Sequence, residues 1–373
     1  MHTFNIDGSR ETIYYMTKSH VKDTRKRLNH CIKAIEPYPD KFNGKGIVMS
    51  VGGIKYFTDA WVSINMLRKT GCRLPIEVWY KGNELSRECV RYLSRLNVVC
   101  KDFNDYDQSY LSGYMFKPAA ILYSQFKDII FIDADNICLS DPEALLESDY
   151  YKDSGAVFWP DFWYTPPENP IWELMKVEFC KMQEQESGQI LINKEKCWQP
   201  LNLCMQLNRM SDIFYRILLG DKDTFRFAWM ALHAPFHYIS KEPDSCGYFL
   251  PVNRFNGMTM IQHDYNNRPF FLHRNLLKFN ATKSNEYNWR HYKRVKKNTR
   301  EKKYFNGHNK RHPFMDIQGD VEVFAFNEEF GNIEDACQTH LQYIREQPFY
   351  REFLFNSFFF NDTKADVHLH ATE

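Results

Sequence analysis

The apolar run Asp128–Ile132 (DIIFI) leads straight into Asp133-Ala134-Asp135, which places two carboxylates at i and i+2 where a strand ends. Such a pair repels itself, and a hard divalent cation with oxygen ligands relieves the repulsion. An Asp-x-Asp pair is short enough to arise by chance, and this chain holds two more. Asp105/Asp107 sits in a polar stretch and reads as a solvated turn. Asp221/Asp223 opens a helix, where an aspartate also serves as an N-cap, or can face a cleft. Lys117 stands in an otherwise apolar stretch, where a lysine needs a partner, either a phosphate or a carboxylate. Glu186-Ser187-Gly188-Gln189 precedes an apolar run, and Trp159, Asp161 and Trp163 (FWPDFW) offer rings and a carboxylate to a sugar. Apolar ring faces stack on CH-rich surfaces, although buried core explains the tryptophans equally well.

Two chemistries use Asp-x-Asp after an apolar strand. In a haloacid-dehalogenase-type phosphatase the first Asp is the nucleophile and the second a general acid. In a nucleotide-sugar glycosyltransferase the carboxylates hold a metal on the donor diphosphate. The phosphatase motif opens its sheet and wants Thr or Val four residues after the first Asp; here that position is Ile137, and about three strand–helix units come first. The order favours the transferase, whose nucleotide pocket those units build.

The elements that must carry these residues follow from periodicity. Gly46–Val51, Leu74–Tyr80, Val98–Phe103 and Asp128–Ile132 read as strands, and the stretches 56–69, 83–96 and 113–126 between them as helices. This alternation predicts an α/β fold with a mostly parallel sheet, and such sheets bind ligands at the carboxyl ends of their strands. Gly52, Gly53 and Tyr56 follow the first strand and are expected to wrap a base and ribose, since glycine lets backbone approach a ligand closely. Further on, 155–159, 189–193 and 270–273 read as strands, and 199–219, 224–232 and 332–360 as helices. From Lys283 to Arg311 eleven Lys/Arg stand against two Glu, with aromatics between them; such a run suits an anionic surface, lipid or glycan. A net charge of +1 and no recognisable motif argue against nucleic acid. Ten cysteines with no CxxC spacing argue against a disulfide scaffold or structural zinc. Sequons stand at Asn280 and Asn361.

Four segments together resemble the fungal-type α-mannosyltransferase family that extends N-glycan and mannan chains: 113–163 (GYMFKPAAILYSQFKDIIFIDADNICLSDPEALLESDYYKDSGAVFWPDFW), 186–196 (ESGQILINKEK), 220–232 (GDKDTFRFAWMAL) and 271–280 (FLHRNLLKFN). The resemblance implies a GT-A fold, a Rossmann-like sheet flanked by helices, with GDP-mannose as donor, Mn²⁺ (or Mg²⁺) as cofactor, a glycan acceptor and retention of configuration. A UDP-sugar donor stays open. On this reading Asp133, Asp135 and His273 hold the metal, with His263 as competitor for the third place. Gly52, Gly53, Tyr56, Lys117, Ala134, Gly188, Gln189 and Lys278 bind the donor, Lys278 neutralising the diphosphate. Trp159, Asp161 and Trp163 bind the acceptor, and Glu186, Asp221 and Asp223 lie nearest the anomeric carbon. The expected organisation is an N-terminal helical segment (1–43), a catalytic domain (44–280, with nucleotide half 44–141 and acceptor half 142–280), and a basic segment with a helical C-terminal extension (281–373). The family's N-terminal anchor does not appear in these 373 residues; the expectation is a cytoplasmic chain as written, or a Golgi-lumenal catalytic domain with its anchor removed.

Overall fold

The computed structural model describes residues 8–11, 14–107, 110–251, 253–309 and 312–355. Asn361 and the end of the C-terminal helical stretch lie outside them. The nucleotide half reads α1 (Lys18–Lys33), β1 (Lys45–Ser50), α2 (Gly53–Lys69), β2 (Ile76–Tyr80), α3 (Arg87–Ser94), β3 (Val98–Asp102), α4 (Phe116–Tyr123) and β4 (Asp128–Ile132). There follow β5 (Asn136–Cys138), α5 (Asp149–Ser154), β6 (Ala156–Tyr164), α6 (Ile171–Met175), β7 (Gln183–Asn193), α7 (Lys194–Arg209), α8 (Ser211–Ile217) and α9 (Lys222–Ala231). The remainder is mostly strand: β8 (His237–Tyr238), β9 (Asp244–Phe249), β10 (Phe255–His263), β11 (Pro269–His273), β12 (His291–Val295), β13 (Lys302–His308), β14 (Pro313–Gly319) and β15 (Val321–Ala325), before α10 (Phe326–Phe330) and α11 (Ile333–Glu346).

Among the described residues the strands form two sheets. The first runs β3-β2-β1-β4-β7-β6-β8, with β1 parallel to β2 and β4 and with β7 antiparallel to β4 and β6. Its central strands are apolar on both faces, as a sheet covered on both sides requires. Ile47, Met49, Ile130 and Ile132 feed the core under α2, whereas Val48, Ile129 and Phe131 feed the core under α4 and α7. The α/β arrangement read from the sequence is therefore the one observed.

The differences have local causes. Strand β7 starts at Gln183, so Glu186–Gln189 lies inside the strand rather than before it. Polar residues fill its first half, yet all but Gln183 are buried, because their partners are other buried polar groups. The helix expected over 199–219 starts at Lys194 and breaks at Met210, where α8 begins. The largest departure follows residue 280. Strands β12–β15 join β9 and β10 in the second sheet, ordered β13-β14-β10-β9-β12-β15. A boundary at 280 cuts through this sheet, and among the described residues beyond it the α-helices begin only at Phe326. Four of its cations are paired within the fold: Lys293 with Asp316 (2.5 Å), Arg294 with Asp244 (2.8 Å), Lys302 with Glu242 (2.7 Å), and Lys303 with Glu301. Lys310 and Arg311 lie outside the described residues. The basic run is thus partly neutralised, mostly by acids that the fold brings from elsewhere in the chain.

Candidate active site

Strand β4 ends at Ile132, and the chain turns through Asp133-Ala134-Asp135 into β5, which belongs to the second sheet. Two strands of the sheets then bring the partners in. Strand β7 pairs Gln189 with Ile132 and runs on past the end of β4, so Glu186, Ser187 and Gly188 flank Asp133, whose amide donates to the Gly188 carbonyl (2.8 Å). Strand β11 pairs His273 with Asn136, and the Arg274 amide donates to the Asp135 carbonyl (2.9 Å).

His273 Nε2 then lies 3.3 Å from Asp135 Oδ1 and 3.8 Å from Asp133 Oδ2, and the three residues offer donor atoms within 4.8 Å of one another. On the other side of the ring, His273 Nδ1 lies 2.9 Å from Glu186 Oε1. That contact orients the imidazole and leaves Nε2 for a cation, the usual arrangement around a metal-bound histidine. Two carboxylates and an imidazole so placed fit a hard-to-borderline divalent ion. The alternative ligand, His263, is fully buried beside Asp244 (3.3 Å) and takes no part in the cluster.

Two lysines complete this end. Lys117 Nζ contacts Asp133 Oδ2 (2.9 Å), the Ser187 carbonyl and hydroxyl (2.8 Å each) and Asp221 Oδ2 (3.6 Å). Burial alone would depress this ammonium, but Asp133 and Asp221 outweigh burial and hold its pKa above the ordinary value. Lys278 contacts Asp135 directly; burial brings its pKa down to about 8 against the pull of Asp59 and Asp133. Glu186 is desolvated, yet His273 and Lys117 hold it at about 2. Both of its oxygens are engaged, Oε1 also by the Gly188 amide (2.7 Å) and Oε2 by Gln189 Nε2 (2.7 Å).

A cleft of about 810 Å³ joins this cluster to a second polar end. There Lys222 Nζ bridges Asp161 Oδ2 (2.5 Å) and Glu184 Oε2 (2.8 Å), and Glu184 Oε1 accepts from Arg10 Nε (2.9 Å). Burial pushes the Asp161 carboxyl up although Lys222 opposes it.

Of the residues singled out in the sequence, Gly52, Tyr56, Lys117, Asp133, Ala134, Asp135, Asp161, Trp163, Glu186, Asp221, His273 and Lys278 line this cleft. Five do not. Gly53 begins α2 at a φ of +66°, a conformation that favours glycine. Gln189 is fully buried and bonds Glu186 and Asn136. Gly188 is a packing residue, since a Cβ there would lie 2.5 Å from His273 Nδ1. Trp159 is core, its indole N–H donating to the His263 carbonyl (2.7 Å). Asp223 is fully buried, holding Arg226 (2.9 Å) and the Gln185 amide (3.0 Å). Sequence reading missed Ser187 as a ligand of Lys117, Lys222 and Glu184 as a buried pair, and the wall built by Met258, Met260, Asn306 and Met315. Only Lys222, set between two aspartates, carried a local signal.

Fold and site together give an α/β sheet whose central strand delivers an Asp-x-Asp pair to a cleft. The family model described as "Mannosyltransferase putative" matches residues 44–182 and 176–264, more than half of the 373 residues, and the chain belongs to this mannosyltransferase family. Among characterised relatives, α-1,2-mannosyltransferase MNN5 of Saccharomyces cerevisiae is 26% identical over 289 residues, 60% of this chain and 49% of that one. The MNN24 α-1,2-mannosyltransferase of Candida albicans is 30% identical over 276 residues, 61% of this chain and 39% of that one. The chain spans about half or less of the length of these relatives. Among solved structures, the mannosyltransferase Ktr4p from S. cerevisiae is similar at 14% identity and a TM-score of 0.38, covering 62% of this chain and 82% of that one. Among the described residues no helix is long and apolar enough to cross a membrane.

Proposed function

We propose that the chain is a retaining, divalent-cation-dependent α-mannosyltransferase that moves mannose from GDP-mannose to a glycan acceptor. The observation that carries this reading is the Asp133–Asp135–His273 cluster, with donors within 4.8 Å of one another and two lysines alongside, at the strand end of a chain in this family. Membership of the family supports the transferase over the phosphatase reading.

Asp133, Asp135 and His273 would hold Mn²⁺ (or Mg²⁺), which supplies positive charge to the donor diphosphate as the glycosidic bond breaks. Lys278 reaches Asp135 on a flexible stem and is suited to stabilising the leaving phosphate. Gly52 and Tyr56 at the start of α2 line the cleft where the nucleoside would lie. Glu186 acts as a positioning residue for His273, because both of its oxygens are already engaged. Asp221 is then the carboxylate best placed beside the anomeric carbon. It lines the cleft next to Lys117 and Ser187, and either attacks the anomeric carbon or steadies the positive charge of a front-face transfer. Asp161 and Trp163 would bind the acceptor.

Transfer from GDP-mannose to methyl α-mannoside, screened against UDP-sugars with and without chelator, tests the reading. Metal-dependent transfer from GDP-mannose with an α-linked product supports it. Transfer from a UDP-sugar alone, or a β-linked product, overturns the donor or the retaining assignment.

A further inference from the structure

Strand β13 comes from the basic stretch of the sequence and its partner β14 follows that stretch; both lie beyond residue 264, where the family match ends. Their hairpin does not stand apart from the cleft. Asn306 and Met315 are opposite each other across the hairpin, so their side chains share a face, and both line the cleft. The hairpin is seated firmly at that place. Met315 pairs with Gly257 of β10, and a Cβ on Gly257 would sit 2.4 Å from the Met315 carbonyl, so only glycine admits the strand this close. Tyr304, two residues before Asn306 on the same face, packs against Phe162 (5.9 Å) and Trp163 (6.4 Å). Met260, Met315, Phe162 and Ile317 form one apolar cluster there.

The wall so formed has a definite chemistry. It presents thioethers, the flank of an indole and the carboxamide of Asn306, with that of Asn275 beside Met260, and Lys222 beside it is already matched by Asp161 and Glu184. Thioethers and rings suit apolar CH faces. A carboxamide both donates and accepts hydrogen bonds, as the hydroxyls of a neutral sugar require. We infer that the β13–β14 hairpin, through Asn306 and Met315, forms the acceptor wall of the cleft and selects a neutral mannoside glycan. This inference rests on the reading of the cleft as a mannosyltransferase site.

Calorimetric titration of the full chain with mannobiose tests it, alongside the shift in thermal unfolding produced by GDP plus Mn²⁺. Asn306→Ala and Met315→Ala should each weaken mannobiose binding about fivefold, roughly the loss of one hydrogen bond or of one side chain's contacts. Met315→Leu, which keeps the volume, should restore most of the loss. The nucleotide shift should be retained in all three variants, which also shows that they are folded. Unchanged mannobiose binding in both alanine variants overturns the inference. So does parallel loss of the nucleotide shift, which would make the hairpin a general support of the cleft. A wild-type chain that binds mannobiose in an Asn306-dependent way but gives no nucleotide shift would retain the wall and overturn the donor reading instead.

Discussion

The two ends of the cleft solve opposite electrostatic problems. At the strand end four carboxylates, Asp133, Asp135, Glu186 and Asp221, face two ammonium groups and one imidazole. At the far end Asp161 and Glu184 are matched by Lys222 and Arg10. A site with surplus carboxylate at close range calls for a further cation, whereas a balanced buried network does not. The same residue types therefore do different work. On the proposed function, one end would gather charge for a diphosphate and the other would fix the shape of a wall for a neutral acceptor.

Five substitutions would break or sharpen that contrast. The largest effect is expected from Asp135→Ala, which should lower mannosyl transfer by about a thousandfold or more, because charge on the leaving diphosphate is worth several kcal/mol. Thermal unfolding should show the variant still folded. The Asp221/Asp223 pair comes next. Asp221→Asn should cost roughly a hundredfold in kcat, on the scale of removing one charge-stabilising group, and rescue by azide would identify a nucleophile. Asp223→Asn should instead lower stability by about 3 kcal/mol, since it strips a buried arginine of its partner. The thermal midpoint separates the two variants.

Gly188→Ala should weaken Mn²⁺ affinity by about ten- to a hundredfold, the range for disturbing the support of a metal ligand, because its Cβ would press on His273. Direct Mn²⁺ titration by electron paramagnetic resonance measures this. Smallest is Lys222→Met at the balanced end, expected to raise the acceptor KM about three- to tenfold, as the loss of a buried charge-assisted contact would. The Mn²⁺ affinity of that variant reports whether the two ends are separate, and a large fall in it would merge them.

The sequence was most legible where one local signal decided the outcome. Strands β1 and β4 are buried apolar runs followed by glycine or aspartate, and the residues after them line the cleft. Asp133 and Asp135 were separable from the other two pairs because a buried strand precedes them. Asp221 and Asp223 were not separable: side chains two apart at a helix start point in different directions, and which one meets the cleft depends on where α9 packs. The polar start of β7 reads as lying before the strand rather than in it because its buried partners, Arg10, Lys222 and His273, lie far along the chain. The second sheet was hidden for the same reason. Lys293 looks like a surface cation until β14 brings Asp316 to 2.5 Å from it. Trp159 and Trp163 share a motif, yet one is core and the other lines the cleft, because successive odd positions are interrupted by the irregular pairing of β6 with β7.

The central claim is that the strand end of the cleft holds a divalent cation together with a nucleoside diphosphate. Calorimetric titration of GDP into the wild-type chain and into Asp135→Ala, each with Mn²⁺ and with chelator, tests it most directly. The account predicts GDP binding that is at least about tenfold tighter with Mn²⁺ than with chelator in the wild type, and no Mn²⁺ dependence in the variant. Equal GDP affinity with Mn²⁺ and with chelator in the wild-type chain would contradict it.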